Sequence, residues 1–201
     1  HGPSSTWGDL ILDNGGASGQ NSELPALGRG IAQTGTGGNT LVTDRAIDIP
    51  SWFEGHWVEV TRGGAMLGTW RIGSISARTI VLAPNSGETM ALQAGDAWAG
   101  VYRFDTLKTV NGEQYSSPDP IRLGVNGVVE LSGPTVAGQF LELFDPIVAT
   151  SVTVRGNVAV PSIAATTLTV EAQGNLSPAR TNPATLLLDI SGVVTVGSGG
   201  A

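Results

Sequence analysis

The 201-residue chain contains no cysteine and only one lysine, Lys108. Without cysteine it can form no disulfide, no thiolate nucleophile and no cysteine-based zinc site. Charged residues make up only 13% of the sequence, whereas soluble globular domains usually contain roughly 25%. The formal net charge is −7 and no basic stripe is present, so we expect no nucleic-acid partner. We also expect no membrane span, because no apolar run approaches the roughly 20 residues that a spanning helix needs.

Helical periodicity is almost absent as well. The best helical candidate, Val136–Phe144, contains Gly138 and is bounded by Pro134 and Pro146, so we interpret it as a strand or an irregular segment. Two-residue alternation recurs instead, and 29 glycines and 11 prolines supply frequent turns. The sequence therefore predicts an all-β protein.

The composition divides the chain into three segments. Residues 1–20 contain the alternating stretch Asp9–Asp13, which predicts a first strand or coil. Residues 21–102 hold four of the five tryptophans, and their short predicted strands suggest a small antiparallel barrel or sandwich. Residues 103–201 are rich in Val, Leu, Thr, Ala and Gly, and the stretch Asp9–Asp13 resembles them, so we interpret the tryptophan-rich segment between them as an insertion.

The third segment predicts a repeated strand pattern. The pairs Val152/Val154, Leu168/Val170 and Leu186/Leu188 follow one another at spacings near the length of one coil of a β-solenoid. A β-sandwich with hairpins of similar length would give the same spacings, so both folds remain open. The last predicted strands, within 185–196, have no lysine, proline or polar cap to block a strand edge. We therefore expect this edge to pair with another copy or with the rest of a larger chain.

The stretches Tyr102–Gly112, Ser117–Pro120 and Ser151–Val160 resemble repetitive Gly/Val/Thr-rich bacterial secreted or cell-surface β-helical proteins of the adhesin type. The resemblance implies an extracellular or cell-surface location and a structural or adhesive role without catalytic residues. It also implies a fragment or subunit of a larger surface protein or filament. The alternative is a carbohydrate-binding or carbohydrate-active β-helix module. Glycans are then further candidate partners.

The best candidates for ligand contact are Trp52 and Phe53, which follow Pro50-Ser51 at a predicted loop tip. An exposed tryptophan offers a large, rigid contact surface for a sugar ring or a protein. We expect the tryptophans predicted to lie in strands, Trp57, Trp70 and Trp98, to form the core of the small domain instead.

Candidate metal ligands are few, and we expect no cofactor. His1 and His56 are the only histidines, and an amino-terminal histidine with a second imidazole can bind copper. The candidate calcium ligands are Asp9, Asp13, Asn39 and Asp44. Asn and Asp side chains that cap turns explain these positions more simply.

Five acids are candidates for the paired carboxylates of a glycosidase, namely Asp96, Asp105, Asp119, Glu130 and Glu142. Pairs of this kind arise by chance among 17 acids, and no serine-nucleophile motif with a later histidine is present. The sequence therefore predicts a protein that is not an enzyme.

Overall fold

The computed structural model describes residues 7–13, 15, 21–110, 114–135, 140–143, 146–179 and 185–198. Within these ranges the chain is all-β, as predicted, and its helical structure is a single 3-10 turn, Ser51–Phe53. None of the helical structure in these ranges is long and apolar enough to cross a membrane. The strands, in chain order, are β1 Asp9–Asp13, β2 Asn21–Glu23, β3 Arg29–Ile31, β4 Gly37–Gly38, β5 Thr40–Val42, β6 Trp57–Arg62, β7 Ala65–Ser76, β8 Thr79–Ala83, β9 Leu92–Gln93, β10 Ala97–Val110, β11 Gln114–Ser116, β12 Ile121–Ser132, β13 Leu141–Glu142, β14 Ile147–Arg155, β15 Asn157–Val160, β16 Ser162–Val170, β17 Asn175–Pro178 and β18 Leu187–Val196.

The chain forms two compact units. The first unit comprises residues 1–24, 103–117 and 121–201, and the second comprises residues 25–102 and 118–120. The predicted segments ended at residues 20 and 102, so the observed units differ in residues 21–24 and in the added segment 118–120. Strand β1 pairs in parallel with β10 within the first unit, where Leu10 lies beside Leu107.

Parallel strand pairing dominates the first unit. Strands β12, β14, β16 and β18 are parallel neighbours in that order. Their registers place Val129, Val152, Leu168 and Val194 in one row across the sheet, and Leu131, Val154, Val170 and Val196 in a second row. The predicted alignment of the Val152 pair with the Leu168 pair is confirmed. The next predicted alignment is wrong, because Leu168 lies beside Val194 rather than Leu186.

A shorter parallel sheet, β13–β15–β17, completes the core of the first unit. Buried side chains of this sheet, such as Leu141 and Val158, belong to the same hydrophobic cluster as Val152 and Leu168 of the longer sheet. Gly156, at φ +63°, separates β14 from β15, and a Cβ there would lie 2.2 Å from the backbone oxygen of Gly133. Only glycine fits this close approach without a shift of the backbone.

Opposite charges lie in a line along the first unit. Lys108 Nζ lies 2.8 Å from Glu130 Oε2, and Arg155 lies 3.5 Å from the same oxygen. Arg155 also donates two hydrogen bonds of 2.8 Å to Glu171. These four side chains are 30–42% exposed, so their ion pairs contribute about 0–1 kcal/mol each.

Antiparallel pairing dominates the second unit. Strand β10 lies between β3 and β6, and the pairing continues through β7, β8, β5, β4 and β9. Alternation in β6 buries Val58 and Val60 completely. They join a core that also contains Trp70, Trp98 and Phe53. This alternation is the pattern by which the sequence predicted the strand.

Candidate functional site

Of the two residues predicted to contact a ligand, Trp52 lies at the surface and Phe53 lies in the core. Trp52 is 60% exposed, whereas Phe53 is buried in the core of the second unit. The two rings stack with centroids 4.0 Å apart and an interplanar angle of 28°. Phe53 therefore supports the Trp52 ring from below, and only Trp52 presents a surface for contact.

The tryptophans predicted to form the core do so at two of three positions. Trp70 and Trp98 are buried, and each indole N–H has an acceptor. Trp70 Nε1 donates to Glu88 at 2.7 Å, and Trp98 Nε1 donates to Asp44 at 3.2 Å. Trp57 is only half-buried. The Trp70 bond and those from Asn85 hold the pKa of Glu88 below its ordinary value, despite an opposing contribution from desolvation.

Two of the candidate calcium ligands, Asp13 and Asn39, make hydrogen bonds to the backbone. Asp13 accepts a hydrogen bond of 2.9 Å from the backbone N–H of Gly15, which is the turn-capping role that the sequence also suggested. Asn39 donates through its amide to the backbone oxygen of Leu82 at 2.9 Å. Asp9 is exposed on β1.

Asp44 fixes the position of β3. Its carboxylate accepts hydrogen bonds from the backbone N–H of Ile31 at 3.0 Å and from Trp98. A Cβ at Gly30 would lie 1.9 Å from the Asp44 carboxylate, so only glycine can occupy that position in the present packing. Within the described ranges, no three His, Asp or Glu side chains group closely enough to hold a metal ion.

The predicted copper ligands are His1 and His56. His1 lies outside the described residues. His56 Nε2 lies 3.3 Å from Asp119 Oδ2, and its ring meets the Tyr102 ring edge-on at 4.6 Å. In this position the imidazole is a partner of a buried carboxylate.

Asp119 is the centre of a polar cluster inside the second unit. It is 2% exposed and accepts hydrogen bonds from the backbone N–H groups of Leu27 at 2.6 Å and Gly28 at 2.9 Å. Tyr102 donates its hydroxyl to Pro25 O at 2.5 Å. Burial, with a smaller contribution from the Asp119 charge, raises the pKa of Tyr102 to about 12. The cluster holds segment 118–120 to residues 25–28, and its arrangement is that of a structural cross-link.

The other acids considered for catalysis also have structural partners. Asp96 is 2% exposed and accepts two hydrogen bonds from Arg62, at 2.7 and 2.9 Å. This guanidinium holds the pKa of Asp96 below its ordinary value, although desolvation opposes the shift. Asp105 accepts from the backbone N–H groups of Trp7 and Gly8.

Glu130 pairs with Lys108, which is the main cause that holds its pKa below the ordinary value. The side chain of Glu142 lies outside the described part of the molecule.

A groove on the second unit was not predicted. It has a volume of about 380 Å³ and runs along β10, between β3 and β6. We call it the alanine groove and define it by Arg29, Ile31, Glu59, Thr61, Ala97 and Ala99. The alternation of β6 and β10 could indicate which of these side chains share a face. It could not indicate that the three-residue strand β3 lies beside them.

The second unpredicted surface detail concerns β18. The two rows of inward side chains are buried on β12, β14 and β16, but Val194 is 53% exposed and Val196 is 56% exposed. Leu187, Leu188 and Val193 on the same strand are exposed too. Strand β18 ends the order of the sheet, and within the described ranges it pairs with β16 alone.

Comparison of the chain with protein-family models, with curated proteins and with solved structures gives no match in any of the three.

Proposed function

We propose that this chain is a non-enzymatic, extracellular structural or adhesive module, in which a β-solenoid-like unit assembles with a second copy through β18. The support comes from the parallel strands and from the apolar edge on which they end. The cell-surface location rests on the resemblance of the sequence to repetitive surface proteins.

The registers of the two parallel sheets support a solenoid. The step from Val152 to Leu168 in the longer sheet is accompanied by a step from Val158 to Leu176 in the shorter one. Each turn of the chain thus adds one strand to each sheet. Stacked turns bury their inward side chains only against neighbouring turns, so the last turn of a stack has an open face unless something covers it.

The observation that carries the proposal is the exposure of β18. Val152 and Leu168 are buried because strands flank them on both sides, whereas Val194 continues the same row and is half exposed. Backbone groups along such an edge can pair with another strand, and inward apolar side chains can then pack across the junction. The edge has a single charged residue, Asp189.

A second copy is the occupant that fits the sequence of this strand. If two copies of β18 pair antiparallel about Gly192, Leu188 lies opposite Val196 and Ile190 lies opposite Val194. Asp189 then lies opposite Thr195 of the other copy. Parallel pairing in register would instead place the two Asp189 carboxylates side by side, and like charges in that position destabilise a sheet. Twofold pairing is also the commonest symmetry of homo-oligomers.

Sedimentation velocity across a concentration series tests the assembly. We expect the wild-type chain to form a dimer and Val194→Lys to abolish it, because the substitution buries an unpaired charge at the junction. Val148→Lys is the matched control, since Val148 is 68% exposed on β14, which has neighbouring strands on both sides. A wild-type chain that remains monomeric at all concentrations contradicts the proposal.

The absence of cysteine allows the orientation to be tested by cross-linking. We expect a mixture of the Leu188→Cys and Val196→Cys variants to form a disulfide between the two variants, because antiparallel pairing places these residues opposite one another. Each variant alone should cross-link poorly. Efficient self-cross-linking of each single variant would show parallel pairing and would contradict the twofold arrangement.

A further inference from the structure

The alanine groove is built from three adjacent strands of the second unit. The register places Ile31, Ala97 and Thr61 in one row, and Arg29, Ala99 and Glu59 in the next. Residues two apart on a strand point to the same face of a sheet. The intervening residues Trp98 and Val60 are buried on the opposite face.

The floor of this groove is small and its walls are tall. Ala97 and Ala99 occupy the central strand, while longer side chains stand on the strands to either side. Neighbouring strands lie about 4.8 Å apart, so the two walls are roughly 10 Å apart. The volume of about 380 Å³ lies near the lower end of the range for small-molecule sites, roughly 300–1,000 Å³.

The walls carry opposite charges. Arg29 can only donate hydrogen bonds, whereas the Glu59 carboxylate can only accept them. A hydroxyl group does both, so a ligand with several hydroxyls can satisfy both walls at once. The two formal charges cancel, and a ligand with a net charge would be attracted by one wall and repelled by the other, so the walls together give no net preference for a charged ligand. The alanine methyl groups and Ile31 offer apolar contact to the face of a ring.

We propose that the alanine groove binds a neutral carbohydrate, with the apolar face of a sugar ring on Ala97 and Ala99 and its hydroxyls bonded to Arg29, Glu59 and Thr61. The groove lies wholly in the second unit and uses none of β18. The proposal is therefore independent of the assembly through that strand.

Titration of the full, isotope-labelled chain followed by amide NMR shifts tests this site. The probes are four soluble tetrasaccharides, built of β-1,4-glucose, β-1,4-N-acetylglucosamine, α-1,4-glucose and β-1,4-xylose. We expect at least one to give saturable shifts centred on the amides of Ala97 and Ala99. No saturable shift with any probe, or shifts centred on Trp52 instead, would overturn the proposal.

Ala99→Leu fills the groove and should weaken the binding of that probe at least tenfold. The matched control is Ala83→Leu, since Ala83 is an exposed alanine on β8 of the same unit and should leave binding unchanged. Arg29→Ala removes one wall at an exposed position and gives a second variant if Ala99→Leu fails to fold. Equal binding by folded Arg29→Ala and wild type, or shifts of the groove amides by glycylglycine in place of the sugars, would also overturn the proposal.

Discussion

Replacing Asp119 with alanine removes the acceptor on which residues 25–28 depend. The N–H groups of Leu27 and Gly28 both donate to this carboxylate, and Leu27 is completely buried. A buried donor left without an acceptor costs about 1–3 kcal/mol. The full cost applies to Leu27 and part of it to half-buried Gly28, so we expect Asp119→Ala to lower the free energy of unfolding by roughly 2–4 kcal/mol. That is a large fraction of the 5–15 kcal/mol typical of folded proteins.

Urea unfolding followed by tryptophan fluorescence measures this loss, because Trp70 and Trp98 lie in the same core as Leu27. Asp119→Asn keeps one acceptor oxygen and replaces the other by an NH2 group, so only one of the two N–H donors loses its acceptor and the loss should be smaller than that of Asp119→Ala. Asp48→Ala is the control, since Asp48 is exposed and surface substitutions usually change stability by less than about 0.5 kcal/mol. If Asp119→Ala is as stable as Asp48→Ala, the structural role assigned to the polar cluster is wrong.

Two further substitutions test the packing and the electrostatics of the second unit. Gly68→Ala should cost about 1–3 kcal/mol in urea unfolding, because its Cβ would lie 2.3 Å from the buried Trp70 ring, whereas Gly37→Ala meets nothing within 4 Å and should be nearly neutral. The Arg62 guanidinium lowers the pKa of Asp96, so this carboxylate stabilises the fold above about pH 4 and the stabilisation is lost as the pH falls. Asp96→Asn should therefore flatten the dependence of unfolding free energy on pH below about pH 4, and parallel curves for the variant and the wild type would count against the pair.

The sequence predicts the local pattern of this fold better than its long-range pairing. The alternation Val152-Thr153-Val154 indicates a strand, and its repeat at Leu168 gives the correct neighbour because one turn separates them. The next neighbour lies 26 residues later, at Val194, because a longer stretch of chain intervenes. Hydrophobic spacing alone predicts the nearer Leu186 as the neighbour of Leu168. Hydrophobic spacing therefore predicts which strands are neighbours only where successive turns of the chain have the same length.

The alanine groove and the Asp119 cluster depend on contacts that no local pattern reveals. Strand β3 has only three residues, one of them Gly30, and it pairs with β10 far along the sequence. Asp119 lies between two prolines, a pattern typical of a turn residue, but in the fold its carboxylate accepts a hydrogen bond from the N–H of the distant Leu27. The burial of Phe53 beneath Trp52 could not be predicted from the sequence either, because a loop tip predicts exposure for both rings. Each of these features depends on which segments, far apart in the sequence, lie next to one another in the fold.

The scarcity of charge connects the composition to the exposed edge of β18. Natural sheets commonly block an open edge with lysine or with an inward-pointing charge. Here the one lysine lies on β10, where it pairs with Glu130, and β18 carries only Asp189. Asp189 lies beside Ala164 on the neighbouring strand, in the alternate set of positions from Val194 and Val196. The carboxylate therefore does not interrupt the inward row of apolar side chains, and antiparallel pairing about Gly192 keeps two such carboxylates apart. In the proposed dimer, repulsion between the two Asp189 carboxylates disfavours parallel pairing in register and leaves antiparallel pairing open, so a single charge favours a twofold partner.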